Sequence, residues 1–90
     1  MEFEWDENKN KLNVQKHGLN FNDAKEVFND LNSILTPDLR KDYNEERWKM
    51  IGKIYGIVIS VIFTKRNHVI RIISARKASS RERTEYNQNK

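Results

Sequence analysis

The stretch Ile57-Val58-Ile59-Ser60-Val61-Ile62-Phe63 decides the fold of this chain. It is rich in β-branched residues and apolar at odd and even positions alike. That pattern reads as a strand covered on both faces, at the centre of a sheet. Tyr55-Gly56 before it and Lys65-Arg66-Asn67 after it are turn sequences, so its neighbours should run antiparallel. Working outward, residues 46–54 read as the preceding strand and residues 69–75 as the following one. Ser33-Ile34-Leu35-Thr36 is a short fourth strand, stopped by Pro37 and the polar run 38–45.

Outside the strands the apolar period changes. Residues 5–17 predict a helix with Asp6 as N-cap and Lys16-His17-Gly18 as its C-terminus. Asn20 can cap a second helix, with Asp23 in its positive first turn. Phe21, Ala24, Val27, Phe28 and Leu31 fall on one face of it, and it should end near residues 30–32. Ser79 and Glu82 have capping-box spacing and open a last helix running to about Tyr86, before a polar tail at 87–90. The expectation is an α+β fold: two N-terminal helices, a four-stranded antiparallel sheet and a C-terminal helix, in one domain over residues 1–90.

Composition narrows the function classes. The 90 residues include no cysteine, which excludes a disulfide scaffold and makes a reducing cytoplasm the simplest setting. The longest apolar run is far short of the ~20 residues a bilayer requires, and Met1-Glu2-Phe3-Glu4 lacks the marks of a signal peptide. Charge is unevenly spread. Residues 1–45 carry six basic and ten acidic side chains, whereas residues 46–90 carry eleven and three. A basic half suits a polyanionic partner, because Lys and Arg replace counterions condensed on phosphates; it equally suits a solvated face without a ligand.

His17 and His68 lie far apart and lack ligands at metal spacing, so neither a metal nor another cofactor is expected. The remaining inventory is Glu45, Glu46, Arg47, Lys49, Lys53, Arg71, Arg76, Lys77, Arg83 and Tyr86. It suits metal-independent RNA cleavage, which needs a proton acceptor, a proton donor and fixed cations beside the phosphorane. The candidate catalytic set is Arg47 and Arg76 as a phosphate clamp, Lys49 in support, Glu46 as proton acceptor and His17 as a secondary proton shuttle. Lys53, Arg71, Lys77 and Arg83 are candidate RNA contacts. Strand alternation sends Glu46 and Arg47 to opposite faces unless a bulge re-aims one.

Each position also has a plainer reading. Arg47 and Lys49 alternate with Trp48 and Met50 as a solvent face would. Arg71, between Ile70 and Ile72, can be a stem reaching water. Arg76 can pair with Glu82 as well as hold a phosphate. His17 beside Gly18 suits helix-end carbonyls, and Trp48 and Tyr86 suit packing.

Phe3-Glu4-Trp5-Asp6 with Lys9, Asn13 and Lys16-His17-Gly18, then Phe21, Ala24, Phe28 and Asp30, resembles the opening of the BrnT family. Glu45-Glu46-Arg47-Trp48, Ile51-Gly52, Arg71-Ile72-Ile73-Ser74-Ala75-Arg76-Lys77-Ala78 and Glu82-Arg83-x-x-Tyr86 continue the likeness over about residues 3–86. Asn44 departs from it, since the family usually has Gly there. The resemblance implies a RelE/ParE-like ribonuclease toxin of a type II toxin–antitoxin pair. Its partners would be an RNA substrate and a BrnA-type ribbon-helix-helix antitoxin, with operator DNA reached only through the antitoxin. A non-catalytic protein- or nucleic-acid-binding module and a gyrase-directed ParE-like toxin are the alternatives.

Overall fold

The computed structural model describes residues 1–39 and 44–89. The central stretch lies in β4 (Ile57–Arg66), the middle strand of a five-stranded sheet. Its order is β1 (Glu2–Glu4), β5 (Val69–Lys77), β4, β3 (Trp48–Ile54) and β2 (Ile34–Pro37). The expectation of four antiparallel strands is corrected here. β1 pairs parallel to β5 through Glu2↔Val69, Phe3↔Ile70 and Glu4↔Arg71, so the sheet is mixed. Three residues are too few to display a period, which is why the sequence pattern missed this edge strand.

α1 (Glu7–His17) starts where Asp6 Oδ1 accepts the N–H groups of Asn8 and Lys9, at 2.8 and 3.2 Å. It ends where the Gly18 N–H reaches the Val14 carbonyl at 2.8 Å. The second helix differs from expectation: it is a single α-turn, α2 (Phe21–Ala24), continued by a 3-10 helix over Lys25–Asn29. This segment lies close on the sheet. Gly52 of β3 lets Val27 approach so closely that a Cβ at that position would stand 2.5 Å from Val27 Cγ2. Leu31, counted above as the end of the apolar stripe, is fully exposed beyond the helix. The polar run 38–45 lies partly outside the described residues.

Phe21, Ala24 and Val27 pack on Ile54, Ile59, Val61, Ile72 and Ala75, forming the core on one face of the sheet. Phe28 meets Phe3 and Phe63 edge-on at centroid distances of 5.2 and 5.0 Å. Buried Asn13 ties α1 to β5: its Nδ2 donates to the Ala75 carbonyl (2.8 Å) and its Oδ1 accepts from the Ala75 N–H (3.1 Å). The amide thus serves an edge position that β1 is too short to reach.

α3 (Ser80–Asn89) lies on the other face and runs past Tyr86 to Asn89. The expected capping box is present, with the Ser79 N–H on Glu82 Oε1 (2.9 Å) and the Glu82 N–H on Ser79 Oγ (3.2 Å). Further along, the buried Tyr86 hydroxyl donates to Asp30 Oδ2 at 2.7 Å. No helix among the described residues is long and apolar enough to cross a membrane.

Candidate active site

The sheet face beneath α3 gathers the charged residues, and the strand register dictates how. Lys49 lies opposite Ile62, Ser60 opposite Arg76, and Thr64 opposite Arg71. Because Ile62 pairs with Ser74 and Phe63 with Ile72, Ile73 is an extra residue in β5. This bulge inverts the alternation of the strand. Arg71 and Arg76, five residues apart in sequence, would otherwise face opposite sides. With the bulge both stand on the face of Ser60, Ile62 and Thr64.

Lys49 on β3 and Arg76 on β5 therefore flank β4 from either side. Glu82, in the first turn of α3, reaches both. Its Oε2 accepts from Lys49 Nζ at 3.0 Å and Arg76 Nη2 at 3.1 Å, while Oε1 accepts from Arg76 Nη1 at 2.8 Å and the Ser79 N–H at 2.9 Å. The Glu82 side chain is only 6% exposed, against 30% for Lys49 and 38% for Arg76. Burial alone would raise the carboxyl's pKa. The Arg76 bonds, the Ser79 N–H and Lys49 outweigh burial and hold it at about 2. The group is thus a fixed anion between two half-exposed cations.

Arg76 commits three of its five N–H donors, two to Glu82 and one to the Lys77 carbonyl at 3.1 Å. Lys49 commits one of three to the same carboxylate. Both cations line a cavity of about 390 Å³ with Pro37, Asp38 and Leu39. Asp38 is buried, and its N–H on the Arg47 carbonyl (2.8 Å) prolongs the β2–β3 ladder by one bond. The arrangement can receive a phosphate group, with donors from two strands and a carboxylate beside them.

The other candidate residues are dispersed. Alternation along β3 places Arg47 on the face of Lys49, and its Nη2 is 3.7 Å from Glu45 Oε1. Glu46 lines a separate cavity of about 630 Å³ with Leu35, Trp48, Phe63 and Thr64. His17 opens onto a third, of about 210 Å³, with Lys9, Lys16, Ile73 and Ser74. Arg71 pairs with Glu4 of β1. Lys53 stands 6.0 Å from the Tyr86 ring centroid, and its N–H donates to Asp30 at 2.7 Å. Arg83 folds back onto the Ala78 carbonyl (2.8 Å) and Ser80 Oγ (3.0 Å), and Lys77 is exposed.

Two residues escaped the sequence reading. Glu82 was visible as a helix cap and as one partner for Arg76, but its hold on Lys49, 33 residues away, was not. Asp38 lay hidden in a polar run, and only the register of β2 places it beside Arg47.

The chain is an α+β domain with arginine and lysine gathered around a buried carboxylate on the sheet face that α3 packs against. The chain belongs to the BrnT family: residues 5–82 match the family model for the ribonuclease toxin BrnT of type II toxin–antitoxin systems. An antitoxin partner follows from that membership. No curated protein matches the chain. At Asn44 the backbone is left-handed with φ = 58°, a conformation asparagine tolerates better than most residues.

Proposed function

We propose that the chain cleaves RNA without a metal ion, by attack of a 2′-hydroxyl on the adjacent phosphorus. The new O2′–P bond forms as the P–O5′ bond breaks, leaving a 2′,3′-cyclic phosphate and a 5′-hydroxyl. The reading is supported above all by the meeting of Lys49 and Arg76 beside one cavity, with donors left over for phosphate oxygens. Negative charge that grows on those oxygens is met by groups already in position.

In this reading Arg76 and Lys49 hold the scissile phosphate, and Arg47, on the same face, contacts a neighbouring one. Asp38 takes the 2′-hydroxyl proton, since it shares the cavity with both cations, and the leaving O5′ takes its proton from solvent water. Glu46 and His17 open elsewhere and are assigned no proton transfer. Lys53, Arg71, Lys77 and Arg83 supply weaker contacts along the RNA chain. The toxin works in the cytoplasm on a RelE/ParE-like scaffold, and a BrnA-type ribbon-helix-helix antitoxin neutralises it and carries the pair to operator DNA.

The test is incubation of the purified chain with a defined single-stranded RNA in excess chelator. Cleavage to cyclic-phosphate ends is expected, with Arg76→Ala and Lys49→Ala each slowing it about 10²–10³-fold. Asp38→Asn should lower the rate without weakening RNA binding. Activity lost in chelator and restored by magnesium would overturn the mechanism. Binding without cleavage would make the chain a nucleic-acid-binding module instead.

A further inference from the structure

Glu82 is a heavily bonded carboxylate beside the cavity. It accepts two bonds from Arg76, one from Lys49 and one from the Ser79 N–H, which fills the roughly four acceptor positions of a carboxylate. A base must have room for a further proton, so Glu82 is ill suited to that role. Its side chain is nearly out of solvent, while the cations it holds are not.

The cations themselves have reason to drift. Lys49 and Arg76 stand on strands separated by β4, and each is a long side chain with many rotamers. Like charges near one cavity repel, and the bulge that puts both on one face does not hold their long side chains together. A rigid anion between them reverses that tendency. Glu82 is itself held in place, because it stands in the first turn of α3 and its Oε1 accepts the backbone N–H at position 79, a donor that alanine there would keep.

Resting on the ribonuclease reading above, we infer that Glu82 is the positioning residue of the phosphate site, a buried anion that makes Lys49 and Arg76 converge at the cost of some affinity for RNA. Glu82 does not touch the substrate; it orders the groups that do. Its charge partly cancels theirs, so binding is weaker than two free cations would give, while the bound phosphate meets donors already in place.

The test compares the full-length chain with Glu82→Gln, Glu82→Asp and Ser79→Ala. Glutamine at the third helical position can still complete a capping box, so Glu82→Gln removes the anion and retains much of the cap. Its kcat should fall about 10–100-fold, while KM and the dissociation constant for a single-stranded oligoribonucleotide stay level or drop. The salt dependence of binding should steepen by about 0.7 in the log–log slope, one extra phosphate's worth. Glu82→Asp keeps the charge on a shorter stem and should recover part of kcat. Ser79→Ala loses the cap hydroxyl, leaves the ion cluster intact and should lower the melting temperature with kcat unchanged. A Glu82→Gln chain with wild-type kcat overturns the inference, as does a kcat loss in Ser79→Ala equal to that in Glu82→Gln. If Glu82→Gln fails to fold, Glu82→Asp decides: a kcat equal to Arg76→Ala with unchanged fold would refute positioning by charge. A wild-type chain that cleaves no RNA would fail at the underlying ribonuclease reading, a different result from an active wild type beside an unaffected variant.

Discussion

At the scale of single residues, hydrogen-bonded carboxylates govern how stability answers to pH. Glu82 titrates at about 2 in the folded chain, against 4.5 for an unperturbed glutamate. Its folded pKa is lowered, so its contribution is complete above about pH 4.5 and vanishes as pH falls toward 2. The shift corresponds to on the order of 3 kcal/mol at neutral pH. Asp30 acts in the same direction. Burial would raise its pKa, but bonds from the Lys53 N–H, the Tyr86 hydroxyl and the Asn32 N–H together hold it below the usual value. Urea midpoints measured from pH 5 down to 2.5 should fall in the wild type, and clearly less in Glu82→Gln. Parallel curves for the two proteins would show that the carboxylate adds nothing to stability.

At the scale of elements, the β3–β4 hairpin holds a correctable fault. Ile54 pairs with Ile57, so Tyr55 and Gly56 form a two-residue loop with φ values of 47° and 81°. Both positions are left-handed, as a type I′ turn requires, and such turns favour Asn-Gly. A tyrosine there carries about 1–2 kcal/mol of strain, and the residue is 79% exposed, so little packing is lost by replacing it. Tyr55→Asn should raise the melting temperature by about 4–8 °C in a thermal scan; an unchanged or lower value would mean the strain is relieved elsewhere. The hairpin was legible in the sequence because a dipeptide at a turn and β-branched flanks are local signals. The same holds for the caps at Asp6, Gly18 and Ser79. What stayed hidden was non-local. β1 is recognisable only by its pairing with Val69, Ile70 and Arg71, and the bulge at Ile73 only by its register with β4. The site shared that division: Lys49 and Arg76 could be named from the sequence, but their meeting depends on the bulge and on Glu82 from a third element.

At the scale of the whole molecule, the two halves of opposite charge are interleaved. Glu4 and Glu45 of the acidic half pair with Arg71, Arg47 and Arg66 of the basic half. These bridges are partly exposed, and such pairs add little stability each. The main apolar cluster fills one side of the sheet, while the opposite face, packed by α3, sets the ion pairs of Lys49 and Arg76 beside buried Ile51 and Ile62. A chain of 90 residues buries only roughly 60–70% of the surface it exposes when unfolded, so its margin of stability is narrow. A partner that binds only the folded state widens that margin by RT ln(1 + [L]/Kd), about 2.7 kcal/mol at a hundredfold excess over Kd. For a domain of this size that corresponds to a rise of about 10–20 °C in melting temperature. Mixing the chain with the product of the neighbouring gene should give a rise of this order that grows with the concentration of that product, and co-expression should relieve growth arrest. If the melting temperature stays fixed across a titration and growth remains arrested, that gene product is not the partner. A rise in melting temperature without relief of arrest would place the contact away from the face carrying Lys49 and Arg76, because a ligand covering that face must exclude RNA from it.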